Sequence, residues 1–383
     1  MKDLQFTYFM PSRIVFGSSY LDVLKSDAKQ FGSKALLVTG KNFIFKTGLY
    51  DKTIDALEKN NIQVVSFNDI GHDPDFVTVD KCFQKARQEK IDFIIAMGGG
   101  SVIDVAKLTA AAYENSQVDL QAHTNDGEIQ SCLWKGTKKS LNLIAIPTTA
   151  GSGSEVSRAA VITDQKFRIK CSIKSPFFYP SLSIVDPALT HTLSKDLTAY
   201  TGIDALTHLI EGYLSRGASA FTDLIALEGI QLVVKNLPKA VKNPEDSSAR
   251  QNMMLASMYG GVVDSNAGLG VDHVIAHLLG AWYGIPHGQA CAILLPASIG
   301  FNAESQKNKV ENILNIFKKP YPDEALRSFI NDLGIVCSLS EVNVPKADIP
   351  KIADKAYENQ TALSFNPRQL TVKDIQDILI RSY

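Results

Sequence analysis

The sequence predicts two consecutive domains, an α/β domain built on a parallel sheet and a second domain made only of helices. At 383 residues the chain exceeds the usual size of a single hydrophobic core. Its first half alternates short β-branched runs with helical patterns, which is typical of a parallel sheet covered by helices. From Ser194 onward the apolar spacing is helical almost without interruption. We therefore predict domains at residues 1–188 and 189–383, with the boundary between Pro187 and Ser194.

Apolar periodicity locates the individual elements of both domains. Strands are predicted at Ala35–Thr39, Ile62–Phe67, Phe93–Met97, Leu143–Ile146 and Leu182–Val185. Helices are predicted at Tyr50–Asn60, Phe76–Gln88, Leu197–Leu214, Phe221–Asn236, Ala249–Val263 and Val271–Tyr283. The run Phe93–Met97 is wholly apolar, which favours a central strand buried on both faces. The polar, lysine-rich segment Gly127–Ser140 is expected to be a solvated excursion.

The composition is that of an ordinary globular protein. Hydrophobic residues make up 45% of the chain, charged residues 21%, and the formal net charge is −1, so nothing indicates a nucleic-acid partner. The segment Met1–Gly17 lacks the basic start and long apolar core of a signal peptide. The apolar region Val271–Phe301 is interrupted by Asp272, three histidines and two prolines, which favours buried helices over a membrane span.

The five cysteines are widely scattered, and no two of them form a Cys-x-x-Cys pair. They are Cys82, Cys132, Cys171, Cys291 and Cys337. This usage fits a reducing compartment and favours buried, inert thiols over a thiolate metal site. We therefore expect the protein to reside in the cytoplasm.

A glycine-rich turn follows the predicted central strand. Gly98, Gly99 and Gly100 come directly after Phe93–Met97, and Ser101 with Asp104 three positions later predicts the N-terminal cap of a helix. A strand, a glycine turn and a helix N-terminus together present free backbone N–H groups to a phosphate. The alternative is that the glycines only permit a sharp turn. Neither the Gly-x-Gly-x-x-Gly fingerprint nor a Walker A loop is present.

A second loop with polar donors follows the next predicted strand. After Leu143–Ile146 the chain carries Thr148, Thr149 and Ser152 among glycines. Open parallel sheets bind ligands at the carboxyl ends of their strands, so the two loops are expected to line one crevice. The alternative is an ordinary Gly/Ser loop without a ligand.

Histidines and a carboxylate recur at helical spacing between Thr201 and Gly288. Asp204 and His208 are four residues apart, as are His273 and His277, so each pair lies on one face of its predicted helix. With His287, these imidazole and carboxylate donors suit a divalent transition metal better than calcium or magnesium. The alternative is a set of ordinary interior histidines bonded to the backbone. The zinc-protease motif is absent, because a valine follows the first histidine of the His273/His277 pair where that motif needs glutamate.

Four motifs in this order resemble the iron-containing, or group III metal-dependent, alcohol dehydrogenases. They are Gly98-Gly-Gly-Ser101-x-x-Asp104-x-x-Lys107, Pro147-Thr-Thr-Ala-Gly-Ser-Gly-Ser-Glu155, Asp204-Ala-x-x-His208-x-x-Glu211, and His273-x-x-x-His277-x-Leu-Gly280 with Pro286-His287-Gly288. The resemblance covers nearly the whole chain. It implies a Rossmann-like dinucleotide-binding α/β domain followed by an all-helical catalytic domain with one metal ion, the architecture shared with dehydroquinate synthase.

The resemblance also implies roles for individual residues. Matching motif to motif places the metal, usually Fe²⁺, on Asp204, His208, His273 and His287. His277 matches a histidine near the substrate and nicotinamide, where it either relays a proton or positions neighbouring groups. The same matching places the dinucleotide on Gly98, Gly99, Ser101, Thr148, Thr149, Ser152 and Lys170.

The end of the second strand bears on the choice between NAD and NADP. Many members of the family that use NAD end this strand with an aspartate that binds the adenosine ribose hydroxyls. Here Gly40 and Lys41 stand in that place, so we predict contact of Gly40 with the cofactor and a preference for NADP(H). A second departure is Asp73-Pro74, where the family often has Asn-Pro. A carboxylate is unfavourable near a phosphate, so Asp73 is not assigned to the site.

The expected activity is hydride transfer between NADP(H) or NAD(H) and a small primary alcohol, diol or aldehyde whose oxygen lies on the metal. The ligand set does not distinguish Fe²⁺ from Zn²⁺. Alternatives are a dehydrogenase of polyols or sugar-like carbonyls, a lyase like dehydroquinate synthase, and a metal- or nucleotide-binding protein without catalysis. The resemblance implies a homodimer, and we expect neither a nucleic acid nor a membrane as a partner.

Overall fold

The computed structural model describes residues 5–17, 19–115 and 139–383, in which a parallel sheet precedes a series of helices. The sheet strands are β1 (Arg13–Phe16), β2 (Lys34–Gly40), β3 (Gln63–Ile70), β4 (Phe93–Gly98), β5 (Leu143–Pro147) and β8 (Leu182–Val185). Their order is β1-β8-β5-β4-β2-β3, and every neighbouring pair is parallel. Two further strands, β6 (Ala159–Asp164) and β7 (Ile169–Lys174), form an antiparallel hairpin outside this sheet.

Helices cover the sheet and then form the second half of the chain. Those associated with the sheet are α1 (Tyr20–Asp27), α2 (Phe43–Lys46), α3 (Leu49–Glu58), α4 (Phe76–Glu89) and α5 (Gly100–Glu114). Those after the sheet are α6 (Lys195–Leu214), α7 (Ala220–Lys242), α8 (Ser247–Ala267), α9 (Val271–Tyr283), α10 (His287–Asn302), α11 (Lys307–Phe317), α12 (Pro322–Asp332), α13 (Ile349–Tyr357), α14 (Gln360–Leu363) and α15 (Val372–Arg381). The predicted fold class, an α/β domain followed by an all-helical domain, is confirmed.

The sheet is buried on both faces, which explains its continuous apolar runs. Along β4, Ile94 and Ala96 belong to one hydrophobic cluster, while Phe93 and Ile95 belong to the cluster on the opposite face. Successive side chains of a strand point to opposite faces, so a strand covered by helices on both sides must be apolar at every position. This packing fixes the carboxyl ends of β2, β4 and β5 side by side at one edge of the sheet.

Strand β1 and the hairpin β6–β7 are absent from the sequence prediction. Strand β1 has only four residues. It is defined by its parallel pairing with β8, in which Arg13 lies opposite Leu182. The hairpin pairs Ala159 with Lys174 and follows a loop that carries no strand signal of its own. Short strands of this kind are defined by their partners rather than by their own periodicity, because side-chain packing outweighs intrinsic propensity.

The predicted cap of helix α5 is wrong. The helix begins at Gly100, its N-cap residue is Gly99, and Ser101 lies inside the first turn. The carboxylate of Asp104 instead accepts hydrogen bonds from Ser154 Oγ at 2.6 Å and from the backbone N–H of Val161 at 2.9 Å. Asp104 therefore fastens the helix to the loop after β5 and to the hairpin, and the first turn keeps its N–H groups free of a side-chain cap.

One sequence-based expectation falls on residues that the structure does not describe. Another, that no helix spans a membrane, can be examined only for the described helices. The segment Gly127–Ser140 lies almost entirely outside the described residues, and Cys132 lies outside them as well. Among the helices of the described ranges, none combines the length and apolar content that a membrane crossing requires.

Candidate active site

Three helices bring the predicted metal ligands together. Helix α6 presents Asp204 and His208 one turn apart, α9 presents His273, and α10 begins at His287. The chain reverses between α9 and α10 through Gly284, whose φ of +68° favours glycine. The Oδ1 atom of Asp204 lies 3.4 Å from His208 Nδ1, 3.7 Å from His273 Nε2 and 3.4 Å from His287 Nε2. Asp204, His273 and His287 therefore bring donor atoms within 4.8 Å of one another, together with Cys291. His208 lies beside this group, with its ring centroid 4.4 Å from that of His273.

The buried polar atoms of this cluster match the needs of a bound cation. Asp204 Oδ1 and His273 Nε2 are buried and lack hydrogen-bond partners, a state that is costly unless something else satisfies them. Nδ1 of His208 lies 2.8 Å from the backbone oxygen of Asp204, which leaves Nε2 as the coordinating nitrogen. The donor set of imidazole nitrogens and one carboxylate oxygen fits a divalent transition metal.

Electrostatics favour a cation at the same point. Burial by itself would raise the pKa of Asp204, but the neighbouring His208 and His287 outweigh it and hold the pKa well below its usual range. Burial by itself would lower the pKa of His273, but Asp204 and Glu211 raise it to about 10. The two carboxylates thus favour the protonated form of His273, and a divalent cation would take the place of that proton.

Two residues near the ligands have no assigned role in the sequence analysis. Glu211 Oε2 lies 2.7 Å from His273 Nδ1, which fixes that ring with its Nε2 toward the cluster. Cys291 Sγ lies 3.9 Å from His287 Nε2. The sequence could have indicated Glu211, because it follows His208 by three residues and so lies on the same face of the helix. Cys291 was expected to be an inert thiol. It follows His287 by one helical turn, so its spacing could likewise have indicated a place near the ligands.

His277 lies beside the ligand cluster without joining it. Its ring centroid is 6.4 Å from that of His273 and 5.3 Å from that of His287, and the side chain is partly exposed. Burial, together with the neighbouring histidines and Lys170, lowers the pKa of His277 well below its usual range. The imidazole is therefore neutral near pH 7 and able to accept a proton.

The two glycine-containing loops meet at the carboxyl edge of the sheet. The N–H of Thr148 donates to the backbone oxygen of Gly98 at 2.9 Å. A Cβ atom on Gly99 would lie 3.3 Å from Thr149 Oγ1, and one on Gly100 would lie 2.7 Å from Ser152 Oγ. Both loops thus line one crevice, with the N-terminus of α5 between them. This arrangement presents backbone N–H groups and hydroxyls to a phosphate.

Gly40 borders the same crevice, and the next residue, Lys41, forms an ion pair with Asp69. Strand β2 ends at Gly40, and a Cβ atom there would lie 3.9 Å from Val102 in the first turn of α5. Lys41 Nζ lies 2.9 Å from Asp69 Oδ1, with 54% and 58% of the two side chains exposed. An ion pair so exposed contributes little to holding either side chain in place.

Lys170 joins the hairpin to helix α9. Its Nζ atom lies 2.5 Å from Asp73 Oδ1, and the lysine side chain is almost fully buried. A Cβ atom on Gly280 of α9 would lie 2.8 Å from this Nζ atom, so a larger residue there would displace the lysine ammonium group. Asp73 adopts a φ of +50°, which is unusual for a non-glycine residue. Asp73, left out of the predicted site, therefore contacts one of its residues.

An open cavity of about 530 Å³ lies beside this junction. Its walls come from the hairpin, the end of α9 and helix α13, and it is lined by Phe167, Arg168, Trp282, Tyr283, Asp348, Lys351, Asp354, Lys355 and Glu358. The indole N–H of Trp282 donates to the backbone oxygen of Arg168 at 2.9 Å, which fastens the hairpin to α9. The cavity is mostly charged and includes none of the metal ligands.

Known proteins resemble this chain over its full length. Residues 11–187 match the family model for iron-containing alcohol dehydrogenase, and residues 198–383 match the C-terminal model of the same family. A 1,3-propanediol dehydrogenase of Citrobacter freundii is 34% identical, over 99% of this chain and 99% of that protein. An NADPH-dependent butanol dehydrogenase of Clostridium saccharobutylicum is also 34% identical, over 97% of this chain and 96% of that protein.

Solved structures agree with these sequence comparisons. An alcohol dehydrogenase from Oenococcus oeni superposes with a TM-score of 0.91 at 30% sequence identity, covering 99% of this chain and 100% of that one. The match extends across the sheet, the hairpin and the helices after them. With two family models that together span most of the sequence, the chain belongs to the iron-containing alcohol dehydrogenase family.

Proposed function

We propose that this protein is a metal-dependent alcohol dehydrogenase or aldehyde reductase that prefers NADP(H) and acts on a small primary alcohol, diol or aldehyde. The observation that carries the proposal is the cluster of Asp204, His273 and His287, with His208 beside it, in which two of the donor atoms are buried and without partners. The glycine loops proposed to hold the dinucleotide lie next to the helix that carries Asp204 and His208. The loop after β5 contacts α6, since a Cβ atom on Gly151 would lie 2.8 Å from Thr201.

Different side chains would have different roles in the reaction. A divalent metal on the four ligands would polarise the substrate oxygen, and a nicotinamide would exchange the hydride. Glu211 keeps His273 oriented for its ligand role. His277, neutral and partly exposed, accepts the alcohol proton and passes it toward solvent, or else it only positions its neighbours. Helices α6, α9 and α10 keep bulk water away from the ligands because they bury Asp204, His208 and His273.

A substrate panel tests the proposed activity. Short-chain alcohols, diols and aldehydes are incubated with each cofactor, and NAD(P)H absorbance is followed. We expect turnover of small primary alcohols or aldehydes, faster than that of polyols or sugar-like carbonyls. Product formation without net cofactor change would indicate a lyase like dehydroquinate synthase. A complete absence of oxidoreductase activity across the panel would favour a binding protein without catalysis.

The proposed metal is Fe²⁺, with Zn²⁺ as the alternative. Nitrogen-rich sites bind Zn²⁺ at least as tightly as Fe²⁺, so occupancy depends on supply and on geometry. Metal analysis of protein purified without added metal, followed by reconstitution with each ion, identifies the ion that supports turnover. Activity with Zn²⁺ but none with Fe²⁺ would contradict the iron assignment.

The preference for NADP(H) is supported by Gly40 and Lys41 at the end of β2. The exposed pair with Asp69 is weak, so Lys41 remains available to a 2′-phosphate. One of the relatives, the butanol dehydrogenase, is NADPH-dependent. We expect Lys41→Gln to lower the ratio of kcat/KM for NADPH to that for NADH by about five- to tenfold. Lys46→Gln serves as the exposed-lysine control, and equal or better efficiency of the wild type with NADH would contradict the proposal.

We also propose that the protein forms a homodimer and works in the cytoplasm. Strand β1 is one of the two edge strands of the sheet, and edge strands favour pairing with another chain. Phe6 and Phe9, in the segment before it, are exposed at 51% and 49%. Phe6 contacts Phe221 of α7, and Leu224 on that helix is exposed at 73%. We expect a dimer by light scattering, weakened by Leu224→Glu. A wild-type monomer at all concentrations would contradict the assembly, and cell fractionation tests the compartment.

A further inference from the structure

Cys291 lies on the same face of α10 as His287, the proposed metal ligand at the start of that helix. It follows His287 by four residues, so the two side chains lie one turn apart on the same side. Its Sγ atom is 3.9 Å from His287 Nε2, and the residue has no exposed surface. The thiol is therefore held against the proposed metal ligands by the helix itself.

The sulfur atom belongs to a compact group of potential donors. One ligand atom from each of Asp204, His273, His287 and Cys291 lies within 4.8 Å of all the others. Metal–ligand bonds of about 2.0–2.3 Å allow donors on one ion to be at most about 4.6 Å apart. The separations of up to 4.8 Å slightly exceed that limit, so the side chains would draw together by a few tenths of an ångström around an ion. Two of the other donors, Asp204 Oδ1 and His273 Nε2, are buried atoms without hydrogen-bond partners.

Acidic side chains lie next to the thiol, among them Asp204 of the donor group. Asp272 has no exposed surface, and its Oδ1 atom lacks a hydrogen-bond partner. A buried acidic side chain with an unpartnered oxygen atom is favourable next to a divalent cation and costly without one.

We propose that Cys291 is an additional sulfur donor to the metal centre and shifts its selectivity from Fe²⁺ toward a more thiophilic ion such as Zn²⁺. The inference rests on the proposed metal-dependent function. Coordination forms a metal–sulfur bond and releases the thiol proton to solvent, as for other thiolate ligands. Thiolate ligands favour softer ions, whereas imidazole and carboxylate alone discriminate less between these metals.

Cobalt substitution tests the proposal without relying on activity. Metal-free wild-type protein, Cys291→Ser and Cys337→Ser are loaded with Co²⁺ and examined by absorption spectroscopy. We expect a sulfur-to-cobalt charge-transfer band in the near ultraviolet for the wild type and for Cys337→Ser, and its loss in Cys291→Ser. Cys337 is the matched control because it is a buried thiol whose Sγ contacts the backbone oxygen of Ile335 at 3.6 Å, away from the ligands.

The outcomes separate this inference from the proposed function. Visible cobalt d–d bands without a charge-transfer band in the wild type would place the ion on nitrogen and oxygen donors alone and overturn the role of Cys291. Absence of any bound cobalt would overturn the metal centre as well. Chelator competition adds a second measure, in which Cys291→Ser should reduce the preference for Zn²⁺ over Fe²⁺ by about tenfold or more. Cys291→Ala provides a second variant if the serine protein does not fold, and an unchanged preference would contradict the proposal.

Discussion

At the scale of single residues, the ring nitrogen that a histidine offers to a metal is determined by the hydrogen-bond partner of its other ring nitrogen. His208 uses Nδ1 against the backbone oxygen of Asp204, and His273 uses Nδ1 against Glu211, so both keep Nε2 for a metal. The helical spacing of Asp204 and His208 made the cluster predictable from the sequence. The contact of Glu211 with His273 was not predictable, because it joins residues 62 positions apart that only the folded helices bring together.

Replacement of Glu211 tests the orientation of this ligand. Glu211→Gln keeps the shape of the side chain but removes the charge that holds His273, so we expect metal affinity to fall by about 10- to 100-fold. Competition with a chromogenic chelator measures the affinity. Glu228→Gln, an exposed position on α7, is the control and should bind metal like the wild type. Unchanged affinity in Glu211→Gln would show that His273 needs no such support.

The ion pair between Lys170 and Asp73 makes a second prediction at this scale. Lys170 is proposed to contact the dinucleotide, yet its ammonium group lies 2.5 Å from the Asp73 carboxylate, which competes for it. We expect Asp73→Asn to lower the KM for the coenzyme by about three- to tenfold. Asp51→Asn on α3 is the exposed control. A higher KM in Asp73→Asn would mean that Asp73 orients Lys170 for binding instead of competing.

At the scale of elements, helix α5 holds the second glycine loop in place through buried polar groups. Lys107 Nζ donates to Ser154 Oγ at 2.8 Å, to Ser157 Oγ at 3.1 Å and to the backbone oxygen of Ala159 at 2.7 Å. The loop after β5 is thereby fixed against the loop after β4. The apolar strands β4 and β5 were predictable from their continuous hydrophobic runs. The true cap of α5 was not, because Asp104 is drawn to Ser154 and Val161 by the tertiary fold.

Glu155 in this loop predicts a dependence of stability on pH. Burial raises the pKa of Glu155 from 4.5 to about 7, despite the opposing effects of a backbone hydrogen bond and of Lys107. Between these values the unfolded chain releases the proton while the folded chain keeps it, so a rising pH destabilises the fold. The loss should amount to about 3 kcal/mol by pH 7.

Glu155→Gln should remove this dependence. We expect the free energy of unfolding of the wild type, relative to that of the variant, to fall as the pH rises from 4.5 to 7 and then to level off. Urea unfolding at a series of pH values measures the difference. A constant difference across that range would show that Glu155 ionises in the folded protein as it does in the unfolded chain.

At the scale of the whole molecule, close backbone approaches join the sheet to the helices around the site. A Cβ atom on Gly151 would collide with Thr201 of α6, and one on Gly280 would collide with Lys170 of the hairpin. These approaches place the loops at the sheet edge next to helix α6, which carries Asp204 and His208, and the hairpin next to α9, which carries His273. The two-part fold was predictable from the change in periodicity near Ser194. The bridging hairpin was not, because its pairing and its contacts with α9 arise only in the folded chain.

The account divides the histidine cluster into metal ligands and one residue beside them, and metal analysis tests that division most directly. Wild-type protein, His208→Ala, His287→Ala and His277→Ala are purified in parallel, their folding is checked by circular dichroism, and bound metal per chain is measured. We expect His208→Ala and His287→Ala to lose the metal, because each removes a nitrogen donor. His277→Ala should retain it at the wild-type level. Equal metal loss from all three variants would contradict the division.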